Sequence, residues 1–121
     1  MHELSLCRGV LQQVTRIAEA HHAIAINAIH LHIGPLAGVE VALLERAFPL
    51  VSRGTIAEHA TLEVTRSVVT IYCAKCGNRC EPKRLFICNS CHSSVTELLS
   101  GDEMRIENIV LKKRVQTDHV H

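Results

Sequence analysis

An α+β chain, two helices packed on a small three-stranded sheet with an inserted four-cysteine lobe, is the architecture this sequence predicts. Three observations carry it. Apolar residues recur at three- and four-residue steps in two stretches before residue 52. They recur at every second residue in three others, near 26–33, 61–66 and 104–115. Between the last two of these stand two Cys-x-x-Cys pairs, Cys73–Cys76 and Cys88–Cys91. The spacing divides the chain into an α+β body, residues 1–69 and 102–121, and an inserted lobe, residues 70–101.

The first predicted helix covers 3–22. Leu4, Cys7, Leu11, Val14 and Ala18 make one stripe, widened by Val10 and Ile17, while Arg8, Gln12, Gln13, Arg16 and Glu19 take the wet face. Cys7 falls inside the stripe, the place of a small buried hydrophobe. Glu3 sits in the first turn, where a carboxylate complements the helix dipole. In 26–33, Asn27, Ile29, Leu31 and Ile33 point one way; Ala28, His30 and His32 point the other. The two histidines have a spacing that can hold a metal or simply make a solvated face, the reading favoured because no third ligand is near in sequence. Gly34-Pro35 ends this strand. The second helix starts near Gly38 with Val39, Leu43, Leu44 and Ala47 inward. Pro49 is expected to stop or kink it near Phe48, because proline has no N–H and crowds the preceding turn, with room for Leu50-Val51 to add one turn beyond.

Thr61–Arg66 turns Leu62 and Val64 inward, and Val68–Tyr72 runs straight into Cys73. After Cys91 a turn at Gly101-Asp102 leads to the last strand, Met104 to Val115. Its apolar phase slips between Ile106 and Ile109, and a β-bulge near Glu107-Asn108 reconciles the two halves. The tail from Gln116 has no periodicity.

A chain of 121 residues allows one domain plus a small module. It is 47% apolar but has no Trp, two Phe and one Tyr, so its core is aliphatic. A formal net charge of +1 gives no electrostatic footing for nucleic acid or an anionic membrane. No apolar run reaches membrane-span length. The first residues, MHELSLCRGV, lack the basic-then-apolar order of a secretory signal, so a cytoplasmic location is expected. In that reducing compartment clustered thiols favour metal over disulfide.

Four thiolates in two such pairs suit a tetrahedral Zn²⁺ site formed by Cys73, Cys76, Cys88 and Cys91. The loop between the pairs is too small for its own core, so the metal would supply most of its folding free energy. Cys80 is the odd thiol, without a partner at matching spacing. Cys88 to His92 also fits the C-x-x-C-H haem pattern, but the second cysteine pair and the absent export signal argue for zinc. The basic residues Lys75, Arg79, Lys83 and Arg84 suggest, as an alternative, a zinc-ribbon nucleic-acid-binding or transcription-associated protein. No aromatic stacking pair accompanies them.

At the other end, Met1-His2-Glu3 offers an α-amine, the His2 backbone nitrogen and the His2 imidazole in succession. Fused chelate rings of this kind favour a square-planar ion, Ni²⁺ or Cu²⁺, with the Glu3 nitrogen or carboxylate completing the set. Such a site is open and pH-dependent, properties that suit a carrier.

Together, the N-terminal Met1-His2-Glu3, Ile33-Gly34, Val39-Glu40, the four paired cysteines and Gly101-Asp102-Glu103-Met104-Arg105-Ile106 resemble the hydrogenase nickel-incorporation proteins of the HypA/HybF family. The match runs along essentially the whole chain. The resemblance implies a non-catalytic nickel metallochaperone for [NiFe]-hydrogenase maturation. It implies Ni²⁺ held by His2 and Glu3 with the Met1 terminus, and structural Zn²⁺ held by Cys73, Cys76, Cys88 and Cys91. The implied partners are a nickel-insertion accessory GTPase and the hydrogenase large-subunit precursor, with the chain itself a monomer or weak homodimer. Some relatives carry His beside both cysteine pairs; here only His92 does so, and Asn78 follows the first. Pro49 and Cys80 also depart from the family pattern.

Overall fold

Helix α1 (His2–Ala20) buries Cys7, Val10, Val14 and Ala18, the centre of the predicted stripe, and leaves Leu4 and Leu11 half-covered. The helix ends two residues earlier than the periodicity suggests. His22 adopts a left-handed φ of 56°, which turns the chain into β1 (Ala23–Ile33). The computed structural model describes residues 2–114. Met1, Val115 and the tail with His119 and His121 lie outside the described residues.

The remaining elements are α2 (Val41–Ser52), β2 (Thr61–Arg66), β3 (Thr70–Cys73), β4 (Arg79–Cys80), β5 (Thr96–Ser100) and β6 (Met104–Lys113). The strands make two three-stranded sheets, ordered β2-β1-β6 and β4-β3-β5. The first is the predicted sheet; the second belongs to the cysteine segment. Among the described residues, no helix is long and apolar enough to cross a membrane.

Two compact units are distinguished. The first comprises the described parts of Met1–Leu31, Glu40–Val64 and Ile106–His121. Its core joins the α1 stripe to Ile26, Ile29 and Leu31 of β1, to Val41, Leu44 and Phe48 of α2, and to Ala57. Phe48 is the one aromatic among these, so the core is aliphatic as the composition requires. Cys7 is 1% exposed and its thiol donates to the Leu44 carbonyl at 3.4 Å. Burial raises its pKa, as expected of a thiol that packs rather than reacts.

Three expectations change here. Asn27 is exposed and Ile26 buried, so the inward face of β1 changes parity between Ile26 and Ile29. Helix α2 begins at Val41 rather than near Gly38, and Val41, Leu44 and Phe48 face inward while Leu43 is exposed. Pro49 neither stops nor ends the helix, which continues to Ser52. Proline supplies no N–H to the Glu45 carbonyl, but both groups lie on the wet side. Phe48 anchors the last turn in the core, and the Ser52 carbonyl at its end accepts the Thr55 N–H at 3.0 Å and the Thr55 hydroxyl at 2.6 Å.

The second unit comprises His32–Val39 and Thr65–Arg105. Here β3 pairs antiparallel with β4, Ile71 opposite Cys80, and with β5, Ile71 opposite Leu98 and Cys73 opposite Thr96. Strand β5 is not evident in the sequence: Thr-Glu-Leu-Leu-Ser has weak strand propensity, and its pairing with β3 decides its form. Two glycines close the base of the unit. Gly34 N–H donates to the Glu103 carbonyl at 2.8 Å, and Leu36 N–H to the Gly101 carbonyl at 2.6 Å. A Cβ on Gly34 would collide with the Gly101 carbonyl, and Gly101 itself takes a φ of 127°. Both positions therefore require glycine.

Candidate metal centres

The four-cysteine site is built from two turns of the same design. In the first, Cys73 N–H donates to the Asn78 carbonyl and Gly77 N–H to the Cys73 carbonyl, each at 2.8 Å. In the second, Cys88 N–H donates to the Ser93 carbonyl and His92 N–H to the Cys88 carbonyl, each at 3.0 Å. The residue after the second cysteine of each turn is left-handed: Gly77 at φ 76° and His92 at φ 61°. Glycine does this freely; histidine does it at some cost. His92 is thus the residue of the second turn that the backbone demands least, and its side chain is exposed.

These turns bring four sulfurs together. Cys73 and Cys91 lie 3.5 Å apart, Cys76 and Cys88 3.7 Å apart, and all four ligand atoms fall within 4.8 Å of one another. A zinc ion with Zn–S bonds of about 2.3 Å needs tetrahedral edges of about 3.8 Å, so the cluster fits one such ion. It is the only group of this kind among the described residues. Cys73 and Cys88, the first of each pair, are buried; Cys76 and Cys91 are exposed.

Their acidities alternate in the same way. The Cys76 N–H, which donates to Cys73 Sγ at 3.4 Å, lowers the Cys73 pKa. The Cys91 N–H pulls Cys88 down to about 6. At Cys76 the Asn78 N–H pulls downward, but desolvation and the neighbouring sulfurs outweigh it and push the thiol up to about 12. At Cys91 the Ser93 N–H is likewise overcome, by the Cys73 sulfur and desolvation. Metal capture expels the protons that these thiols still carry, so it weakens as pH falls. Cys80 stands apart in β4, half-buried, and takes no place in the cluster.

The N-terminal residues are arranged differently. His2 heads α1 with its side chain 60% exposed, and its Nδ1 lies 3.7 Å from a Glu3 carboxylate oxygen. Glu3 is itself buried, at 9% exposure. Its carboxylate accepts the Glu40 N–H at 3.2 Å. Glu40 is the N-cap of α2 and makes no side-chain cap of its own. Glu3 thus supplies from α1 an acceptor for an amide at the head of α2, and that bond is the largest cause of its lowered pKa. No sequence signal ties Glu3 to Glu40, which lies 37 residues away. Its one trace is negative: no Ser, Thr, Asp or Asn stands at that N-cap.

His30 and His32 are half-buried rather than solvated. His32 Nε2 lies 3.0 Å from Glu103 Oε2, and Ser67 Oγ donates to the same oxygen at 3.1 Å. Gly101 N–H donates to Glu103 Oε1 at 2.7 Å, the largest of the causes that hold this carboxylate at a pKa of about 2. Glu103 therefore ties the end of β1, the β2–β3 link and the Gly101 turn within the second unit.

Comparisons with known proteins agree on one group. The family profile described as hydrogenase/urease nickel incorporation, metallochaperone, HypA matches residues 1–111. The chain is 39% identical over 112 residues to the hydrogenase maturation factor HypA of Nitrosospira multiformis, covering 92% of this chain and 97% of that one. It is 36% identical over 110 residues to the protein of the same name from Rhodobacter capsulatus, covering 90% and 97%. Its fold is similar to a solution structure of a HypA protein, with a TM-score of 0.74 at 23% identity over 94% of this chain and 98% of that one. It is also similar to the solution structure of the Ni metallochaperone HypA from Helicobacter pylori, with a TM-score of 0.68 at 22% identity over 93% and 98%.

Proposed function

We propose, from the premise that this chain belongs to the HypA family of hydrogenase/urease nickel-incorporation metallochaperones, that it carries Ni²⁺ at its N-terminus and holds a structural Zn²⁺ in its cysteine lobe. The observation that carries this reading is the exposed His2 imidazole at the head of α1, beside a carboxylate already fixed in place. The first amides of an α-helix have no intrahelical acceptor, so nitrogen ligation by His2 and Glu3 would break no helical hydrogen bond. The Met1 amine, the His2 and Glu3 backbone nitrogens and the His2 imidazole make a planar set suited to Ni²⁺. Because the Glu3 carboxylate is engaged by Glu40, Glu3 contributes through its nitrogen, and its side chain steadies the segment.

Cys73, Cys76, Cys88 and Cys91 would hold zinc. Bound there, zinc supplies cross-linking rather than chemistry, since four thiolates leave no open position. In this reading residues 1–69 and 102–121 are the nickel-binding domain and 70–101 the inserted zinc-binding domain. The chain is not an enzyme. It works in the cytoplasm, as a monomer or weak homodimer, passing nickel to a hydrogenase large-subunit precursor with an accessory GTPase.

Native mass spectrometry with added nickel tests this on the unmodified chain and on one carrying extra residues before Met1. One retained zinc is expected in both, and one nickel only in the form with the free terminus. Equal nickel uptake by the extended chain would falsify the N-terminal site.

A further inference from the structure

Helix α2 is apolar on two faces, and only one of them is used. Val41, Leu44 and Phe48 go into the core. Leu43, Ala47 and Leu50 form a second stripe at steps of four and three, and it points outward. Leu43 is 46% exposed and Leu50 66%. Together with Leu4 and Glu3 of α1, these residues line a shallow groove of about 270 Å³. Arg46 borders the same groove and forms no ion pair with any described residue. A helix with two apolar faces is ordinarily buried on both, and a rimmed apolar strip on a small protein marks a contact surface.

The composition of the groove says what would fit. Leu4, Leu43, Ala47 and Leu50 offer an apolar floor, the kind of surface on which an amphipathic helix lays its apolar anchors. Arg46 at the border calls for a carboxylate on that helix. Glu3 forms part of the wall, so whatever occupies the groove lies against the nickel-carrying segment. We propose that this groove is the docking surface for the protein that receives the nickel, which presents an amphipathic helix bearing a carboxylate opposite Arg46. The proposal rests on the nickel-carrier reading and adds to it where the acceptor sits. Docking here places the acceptor against the helix that begins with His2 and Glu3.

The test uses the full chain loaded with nickel and zinc, and a purified [NiFe]-hydrogenase large-subunit precursor as the probe. Three variants are compared with the unmodified chain: Leu43→Glu with Leu50→Glu, Arg46→Glu alone, and Leu43→Met with Leu50→Met. Native mass spectrometry reads metal content, and titration of the precursor reads binding. The expected result is roughly a tenfold or larger loss of precursor affinity for the double glutamate variant, with one nickel and one zinc retained. Arg46→Glu is expected to lose several-fold, and less at high salt. The methionine pair should bind like the unmodified chain. Since all three positions in the glutamate variants are exposed, their folds should hold; if the double variant does not fold, Arg46→Glu decides alone.

Unchanged precursor affinity in both glutamate variants overturns the proposal. So does a dimer that they convert to monomer while precursor binding persists, which would make a second copy the occupant. Loss of nickel uptake by the unmodified chain is a separate outcome. It would remove the nickel-carrier reading and with it the assignment of the occupant as a nickel acceptor.

Discussion

The two cysteine turns repeat one another hydrogen bond for hydrogen bond, whereas the His2–Glu3 segment depends on an amide 37 residues away. On the proposed reading, this difference is how one small chain would treat two metals differently. In the lobe each turn fixes two sulfurs by local backbone geometry, and β3 with its neighbours brings the pairs together. Four sulfurs then close around one point. At the N-terminus the imidazole is left outside, and the protein fixes only the residue behind it, through Glu3 and Glu40. A shell without a vacancy suits a metal that stays, and an open segment suits one that leaves.

The contrast can be broken most forcefully at Cys88, which is buried. Cys88→Ser should abolish zinc retention and remove a metal-binding contribution on the order of 10 kcal/mol from the lobe. In heteronuclear NMR the amide signals of 70–101 should collapse while those of α1 and α2 stay. Collapse of the whole spectrum would show that the two regions do not fold independently. Next in size is Gly34→Ala, where the new methyl meets the Gly101 carbonyl. A loss of about 3 kcal/mol is expected, read from the denaturant midpoint.

Glu3→Gln sharpens the comparison from the other side. It keeps an acceptor for Glu40 N–H but removes the charge, so the melting temperature should fall by only a few degrees. Nickel affinity should weaken without disappearing, because the nitrogens remain. Isothermal titration with nickel would separate this from a lost site.

Acid should act on the base of the second unit through Glu103. Its folded pKa of about 2 lies below the unfolded value near 4.3, so its stabilising contribution is fully present above that value and is lost as pH falls toward 2. Denaturant midpoints should therefore drop as pH falls from about 4.3 toward 2, and Glu103→Gln should flatten the drop. The smallest effect on stability belongs to His2→Ala, within about 0.5 kcal/mol of the unmodified chain, since the side chain is exposed. Its effect on nickel should nonetheless be complete.

The four-cysteine cluster is legible because it is written in local spacing. Two residues between cysteines suffice to predict a turn that aims both sulfurs one way. The core stripe of α1 was legible for the same reason, as was the slip in β6, where Glu107 and Asn108 are both exposed. What escaped the sequence was decided across distance. Glu3 looked like a dipole-complementing carboxylate and a nickel ligand, and its bond to Glu40 could not be read from a composition of single segments. His32 looked solvated until Glu103 reached it from 71 residues away. Strand β5 defies its local propensity because pairing with β3 overrides it, while the turn beyond Pro49 is the one that Leu50-Val51 leaves room for.

The central claim is that the two sites differ in lability, and a chelator challenge tests it most directly. The chain loaded with one nickel and one zinc would be titrated with a chelator and followed by native mass spectrometry. The account predicts that nickel leaves first and completely, at chelator levels where every molecule still holds its zinc and the lobe keeps its NMR signals. Zinc leaving with or before nickel would contradict it.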